Sequence, residues 1–178
     1  MQDGWDQDRR RVCERIGISE YVVKSRAARL SGGMARLPAK GNLSEERKGR
    51  KLFWALMLND LVEERPISQV LNAYTVSRDS PVTRKMLADA QEQSALFAAK
   101  VSHFAENVGY ADLHLLISDL ISRIAIGARA DILPLCELPY VQVVRARALH
   151  RQGYKTLESV AGARPQEIAR ILDLKPEK

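Results

Sequence analysis

Apolar residues along this chain recur at threes and fours and almost nowhere at twos, the period of helices rather than strands. Ser44 can cap a helix in which Leu52, Phe53, Leu56, Met57, Leu61 and Val62 make a wide apolar stripe, and Pro66 ends it. A short helix over Ile67 to Tyr74 turns Val70, Leu71 and Tyr74 inward. After a turn at Thr75 to Arg78, Ser80-Pro81 reads as a cap with proline at the first helical position. It opens a long helix from about Pro81 to Val108, with Val82, Leu87, Ala90, Phe97, Val101, Phe104 and Val108 as its apolar face. Gly109 stops that helix. Asp112 caps the next, whose apolar positions are Leu113, Leu116, Ile117, Leu120, Ile121 and Ile124, and Gly127 ends it. The chain reads as all-α.

Residues 132–172, ILPLCELPYVQVVRARALHRQGYKTLESVAGARPQEIARIL, pack four short helical signals into one stretch. The first stops at Pro139. The second carries Val144, Ala148 and Leu149 and ends at Gly153; Thr156 caps a third, and Arg164-Pro165 opens a fourth with Ile168, Ile171 and Leu172 on one face. None is long enough to stand alone, so they must share a small core. The layout is that of a helix-hairpin-helix pair, a device that binds nucleic-acid backbones. The expected organisation is a basic segment and linker over 1–43, a helical bundle over 44–130 and a helix-hairpin-helix-like domain over 131–178. Within 1–43, residues 9–30 read as helical and 31–43 as a linker broken by glycine and proline.

Charge refines this picture. The net charge is +6 over 178 residues, divided as +6 over 1–51, −2 over 52–130 and +2 over 131–178. The two ends are therefore the candidates for touching phosphate and the middle reads as scaffold. The run Lys24, Arg26, Arg29, Arg36 and Lys40 is either a solvated connector or a nucleic-acid-contacting arm. The cysteines, Cys13 and Cys136, lie far apart and form neither a disulfide framework nor a zinc spacing. The charged N-terminus is no signal peptide, and no apolar run reaches transmembrane length; an intracellular setting without a membrane is expected.

Catalytic motifs are missing from the sequence. It has no G-x-x-x-x-G-K-[ST] phosphate loop, and His103, His114 and His150 are isolated, with structural or surface roles expected and His150 exposed. Residues 67–87 could mimic a helix-turn-helix, but the second helix runs far past recognition length, which favours a structural role.

Three stretches resemble the C-terminal part of the superfamily-2 DNA-repair helicases: the helicase portion of DNA polymerase theta, the HELQ helicase and their archaeal relatives. These are LFWALMLNDLVEERPISQV (52–70), FAAKVSHFAENVGY with LHLLISDLISRIAIG (97–110 and 113–127), and DILPLCELPYVQVVRARALHRQGYKTL (131–157). The resemblance implies an ATP-driven 3′-to-5′ repair helicase in which a helical ratchet bundle and a helix-hairpin-helix domain follow two RecA-like motor domains and a winged helix. Residues 44–127 would be the bundle, and 1–43 a tail or winged-helix remnant. ATP and Mg2+ belong to the motor domains, which this chain lacks, so it would be a fragment with no catalytic site of its own. The implied partners are single-stranded or forked DNA and the RecA-like motor domains, in the nucleus if the source is eukaryotic.

The expected DNA contacts are Arg145, Arg147, Arg151 and Lys155 in the hairpin domain, and Gln93 and Lys100, seven residues apart on one face of the long helix. Arg147 and Arg151 share a face; Arg145 and Arg147 do not. The competing reading pairs some of these arginines with Glu137, Glu158 or Glu167. The sequence departs from the family where the hairpin glycines should be, since the turn reads Leu138-Pro139-Tyr140-Val141, which shifts binding onto the arginines. It departs again after the short helix, where Arg78 is followed by Asp79-Ser80-Pro81 instead of glycine. Archaeal members stack a base on an aromatic of the long helix. Phe97 falls near that place, either as that platform or as a core residue. The alternative function is a helical protein–protein interaction module with no direct DNA contact.

Overall fold

The computed structural model describes residues 7–18, 43–75 and 81–173. Among them are nine α-helices and one 3-10 turn, with no strand, so the all-α expectation holds. The helices are α1 (Gln7–Ile16), α2 (Leu43–Val62), α3 (Ile67–Tyr74), α4 (Arg84–Asn107), α5 (Ala111–Ile126), α6 (Leu133–Cys136), α7 (Val143–Arg151), α8 (Leu157–Ala161) and α9 (Pro165–Ile171). The 3-10 turn, Ala130–Ile132, leads into α6. The basic run over 24–40, the linker expected over 31–43 except its last residue, the Ser80 cap, the Ser44 side chain and the departure at Arg78 lie outside the described residues.

The chain forms two compact units: one of the described residues up to Leu61 together with 65–91, the other of 62–64 together with the described residues from 92 onward. The boundary expected at 130 falls inside the second unit.

In the first unit, Cys13 of α1 and Ile18 just beyond that helix, Leu52, Phe53, Met57, Leu58 and Leu61 of α2, Val70 and Tyr74 of α3, and Val82 and Leu87 close a single core. The apolar stripe read from α2 is this core's main wall. Phe53 meets both Trp54 and Tyr74 edge-on, at centroid distances of 5.6 and 5.3 Å. The core also takes in a charge. Arg9 is buried and pairs with the equally buried Asp60, 51 residues away. The Tyr74 hydroxyl donates to the same carboxylate at 3.0 Å, and the Arg9 guanidinium lies 5.3 Å from the Tyr74 ring centroid. Burial, with the Asp60 charge beside it, pushes the Tyr74 phenol far above its ordinary range, so it stays a donor. Packing α3 and the start of α4 into this core fits the structural role expected for residues 67–87.

Local signals set the helix ends. The Thr83 hydroxyl accepts from the Met86 N–H at 3.2 Å, so α4 starts three residues later than Ser80-Pro81 suggested. Asp112 does not cap α5; it sits in the first turn, behind Tyr110 at the cap position. Gly127 ends α5 at φ 74°, a left-handed backbone that favours glycine, and its N–H closes on the Arg123 carbonyl at 2.8 Å. Thr156 caps α8 reciprocally with Ser159, and Pro165 opens α9.

The second unit has its own core. Ala128, Ile132, Leu135, Ala146 and Leu149 are wholly buried, with Tyr154, Val160, Ile168, Ile171 and Leu172 packed against them. The four short helices do share one small core. Cys136 is partly buried at its edge, where burial pushes its thiol up. Between α4 and α5, the buried Ser102 hydroxyl lies 3.0 Å from Nδ1 of His114 and 2.8 Å from the Ser118 hydroxyl, giving His114 a structural place.

Replacing Asp60 removes the shared partner of a buried guanidinium and a buried phenol. Asp60→Ala should lower the unfolding free energy in urea by about 3 kcal/mol, the cost of opening a buried pair from one side.

Candidate nucleic-acid interface

Helix α4 shows the largest difference between sequence pattern and structure. Beyond Leu87, which lies in the first core, its two rings point out and small residues point in. Phe97 and Phe104 are 69% and 65% exposed, and Val108 is exposed as well, while Ser102 and Ala105 are buried. Small side chains on the inner face let α5 approach closely enough for the Ser102–His114–Ser118 bonds to form. Phe97 is therefore not a core residue. Gln93 and Lys100 are exposed too, so Gln93, Phe97, Lys100 and Phe104 follow one another at four, three and four residues along a single outer face. Amide, ring, ammonium and ring alternate there, the two rings about 10 Å apart along the axis. Lys100 has no acidic partner among the described residues.

Helix α5 also turns apolar residues outward. Leu113, Leu116 and Leu120 are exposed, and none of its residues is fully buried. The stripe read as core-facing is thus only partly so: Ile117, Ile121 and Ile124 are half-buried and the leucines are not.

The four cationic residues put forward at the C-terminal end part company. Arg147 is enclosed, its side chain 19% exposed between two carboxylates. Its Nε and Nη2 donate to Glu64 at 2.6 and 2.5 Å, and its Nη1 and Nη2 donate to Asp131 at 2.7 and 2.8 Å. Both are bidentate, the strongest geometry open to a guanidinium. Its partners are Glu64 and Asp131 rather than the Glu137, Glu158 or Glu167 weighed from sequence. Arg129 joins them, its N–H donating to Glu64 at 3.1 Å and its side chain pairing with Glu63. His150, expected at the surface, is half-buried beside Asp131, with Nε2 3.6 Å from the carboxylate. Burial pushes the Glu64 carboxyl up, but its bonds with Arg147 and the Arg129 N–H outweigh that and hold it below the ordinary range. The Arg147 bonds hold Asp131 low in the same way and raise the Arg147 pKa further.

Arg145, Arg151 and Lys155 are exposed. Arg145 donates to the Tyr140 carbonyl at 2.7 Å. Arg151 lines an open cleft of about 460 Å³ with Ala148, Gln152, Arg170 and Ile171. Arg170 was not put forward from sequence; it is brought opposite Arg151 by the packing of α9 on α7, and neither has a carboxylate partner among the described residues. Two arginines and an amide around one cleft can hold a phosphate.

A family model for the DNA_pol_Q helicase like region helical domain matches residues 1–124. The chain belongs to this helicase helical-domain family. A second model, for a domain of unknown function, matches residues 130–178. The chain is 32% identical to DNA polymerase theta of Drosophila melanogaster over 123 residues, covering 69% of this chain and 6% of that protein. It is 33% identical to ATP-dependent DNA helicase Hel308 of Pyrococcus abyssi over 139 residues, covering 78% and 19%. It is 26% identical to Helicase POLQ-like of Homo sapiens over 159 residues, covering 89% and 13%. The chain thus spans less than a fifth of the length of these relatives. The resemblance to DNA polymerase theta, HELQ and archaeal helicases holds at the level of the helicase helical region. No helix among the described residues is long and apolar enough to cross a membrane.

Both carboxyls around Arg147 titrate lower in the folded protein than in the unfolded chain. Their stabilisation is therefore complete above the unfolded-chain range near pH 4.5 and is lost as the pH falls through the depressed folded values. Arg147→Ala should cost about 2–3 kcal/mol at pH 7, discounted for partial exposure. In urea melts taken at successive pH values, the gap between variant and unsubstituted chain should close as the pH drops towards 3.

Proposed function

We propose that this chain is the DNA-contacting helical region of an ATP-dependent 3′-to-5′ DNA-repair helicase, gripping single-stranded DNA through its backbone and by stacking. The outer face of α4 carries the reading. In a member of this family, Gln93, Phe97, Lys100 and Phe104 alternate polar and aromatic groups along one exposed face, the chemistry that tracks a single strand without reading its sequence. Phe97 and Phe104 stack bases, Lys100 meets a phosphate, and Gln93 hydrogen-bonds the strand. Arg145, Arg151 and Lys155, joined by Arg170, hold the backbone further along in a helix-hairpin-helix-like module. Arg147 positions α7 for them rather than leaving its carboxylates for a phosphate.

In this reading the RecA-like motor domains lie elsewhere in the helicase and bring the ATP and Mg2+ chemistry with them. Single-stranded or forked DNA is the partner, in the nucleus where the source is eukaryotic. A second reading, a protein–protein interaction module without direct DNA contact, draws support from the exposed Leu113, Leu116 and Leu120 of α5.

Fluorescence anisotropy with a labelled single strand and a matched duplex, titrated over salt, separates the two. Five phosphate contacts predict about a hundredfold loss of affinity between 50 and 200 mM salt. Phe97→Ala should weaken binding by about fivefold or more, and Lys100→Ala should flatten the log–log salt slope by about 0.7. Absence of binding at 50 mM, or equal affinity for strand and duplex unaffected by Phe97→Ala, contradicts the strand-gripping reading.

A further inference from the structure

The turn between α6 and α7 carries a side chain that the fold does not use. Tyr140 is 88% exposed, and its backbone has φ 64°, a left-handed conformation that strains an L-residue and suits glycine. The ring gains nothing from burial to offset that strain. Local strain of this kind, held by its surroundings, marks places where a side chain is aimed at something outside the fold. The turn is held. The Val141 N–H donates to the Leu138 carbonyl at 3.1 Å, the Leu138 N–H to the Leu135 carbonyl at 3.3 Å, and the Arg145 guanidinium to the Tyr140 carbonyl at 2.7 Å.

Those bonds leave the turn's backbone poorly suited to an anion. Pro139 has no N–H, and the amides of Leu138 and Val141 are already bonded, so of residues 138–141 only Tyr140 keeps an N–H to offer. What the turn does offer is a flat ring, with the exposed Val144 at the second position of α7 and the cationic Arg145 bonded to the backbone carbonyl of Tyr140. An exposed ring on a turn whose backbone carbonyl holds a guanidinium with no carboxylate partner among the described residues matches an aromatic base carried on an anionic backbone better than an apolar peptide.

We propose that the α6–α7 turn binds single-stranded nucleic acid by stacking a nucleobase on the Tyr140 ring, and not by capturing a phosphate on its backbone. Arg145 is the positioning residue that fixes the turn. This rests on the strand-gripping function proposed above and adds a base-contact site separate from the α4 face.

The test uses the full chain with a fluorescent single strand and a matched strand of equal length that is abasic at successive positions, comparing Tyr140→Phe, Tyr140→Leu and Tyr140→Gly. Glycine relieves the backbone strain, so that variant should melt no lower than the unsubstituted chain and any loss of binding is not a loss of fold. Stacking predicts that Tyr140→Phe binds the base-bearing strand within about twofold of the unsubstituted chain, while Tyr140→Leu and Tyr140→Gly bind it at least about fivefold more weakly. On the abasic strand all four should bind alike. Backbone capture predicts the opposite, with Tyr140→Gly binding both strands as well as or better than the unsubstituted chain, and that result overturns the inference while leaving the strand-gripping function standing. Failure of the unsubstituted chain to bind either strand overturns both.

Discussion

A buried or half-buried guanidinium must have its charge met, and in this chain that requirement decides which arginines are left for a ligand. Arg147 is bound by Glu64 and Asp131 through four hydrogen bonds of 2.5–2.8 Å. This ties the 62–64 segment and the 3-10 turn to α7 inside the second unit. With Arg147 fixed, its helix neighbours take set positions: Ala146 and Leu149 go into the core, Arg145 reaches the α6–α7 turn, and Arg151 faces α9. Arg9 and Asp60 do the corresponding work in the first unit, with Tyr74 as a third member.

The cations thus divide into two sets. Arg9, Arg123, Arg129 and Arg147 meet carboxylates within the fold. Lys100, Arg151, Lys155 and Arg170 meet none among the described residues and stand exposed. The net charge of +6 belongs to the whole chain and does not describe this surface; internal pairs leave net charge unchanged, and what a phosphate backbone would meet is set by where the exposed cations stand. The same division separates affinity from position: exposed cations set the salt dependence of binding, and the enclosed one holds the surface that presents them.

Much of the architecture was legible in the sequence because it rests on local rules. Gly127 stops α5, Thr156 caps α8 and Pro165 opens α9 through bonds made within a few residues. What was not legible depends on contacts across long separations. Glu64 lies 83 residues from Arg147, and Asp60 lies 51 from Arg9, so no spacing rule pairs them. The orientation of α4 was left open for a different reason. Hydrophobic periodicity places Phe97 and Phe104 on the helix's apolar face without saying whether that face is covered, and close packing of two helices selects the small face of Ser102 and Ala105 and leaves the rings outside. The signal was present in the sequence as Ser and Ala at helical spacing on the opposite face. Arg170 was missed because only the packing of α9 on α7 brings it opposite Arg151.

The central claim is that rings left outside the fold touch the strand. Zero-length photo-crosslinking tests it most directly: the full chain is irradiated with a single strand substituted by 5-iododeoxyuridine, digested, and the attached peptides mapped. The account predicts adducts on the α4 segment containing Phe97 and Phe104, competed away by unlabelled single strand. Specific adducts confined to other segments, with α4 unmodified, would contradict it.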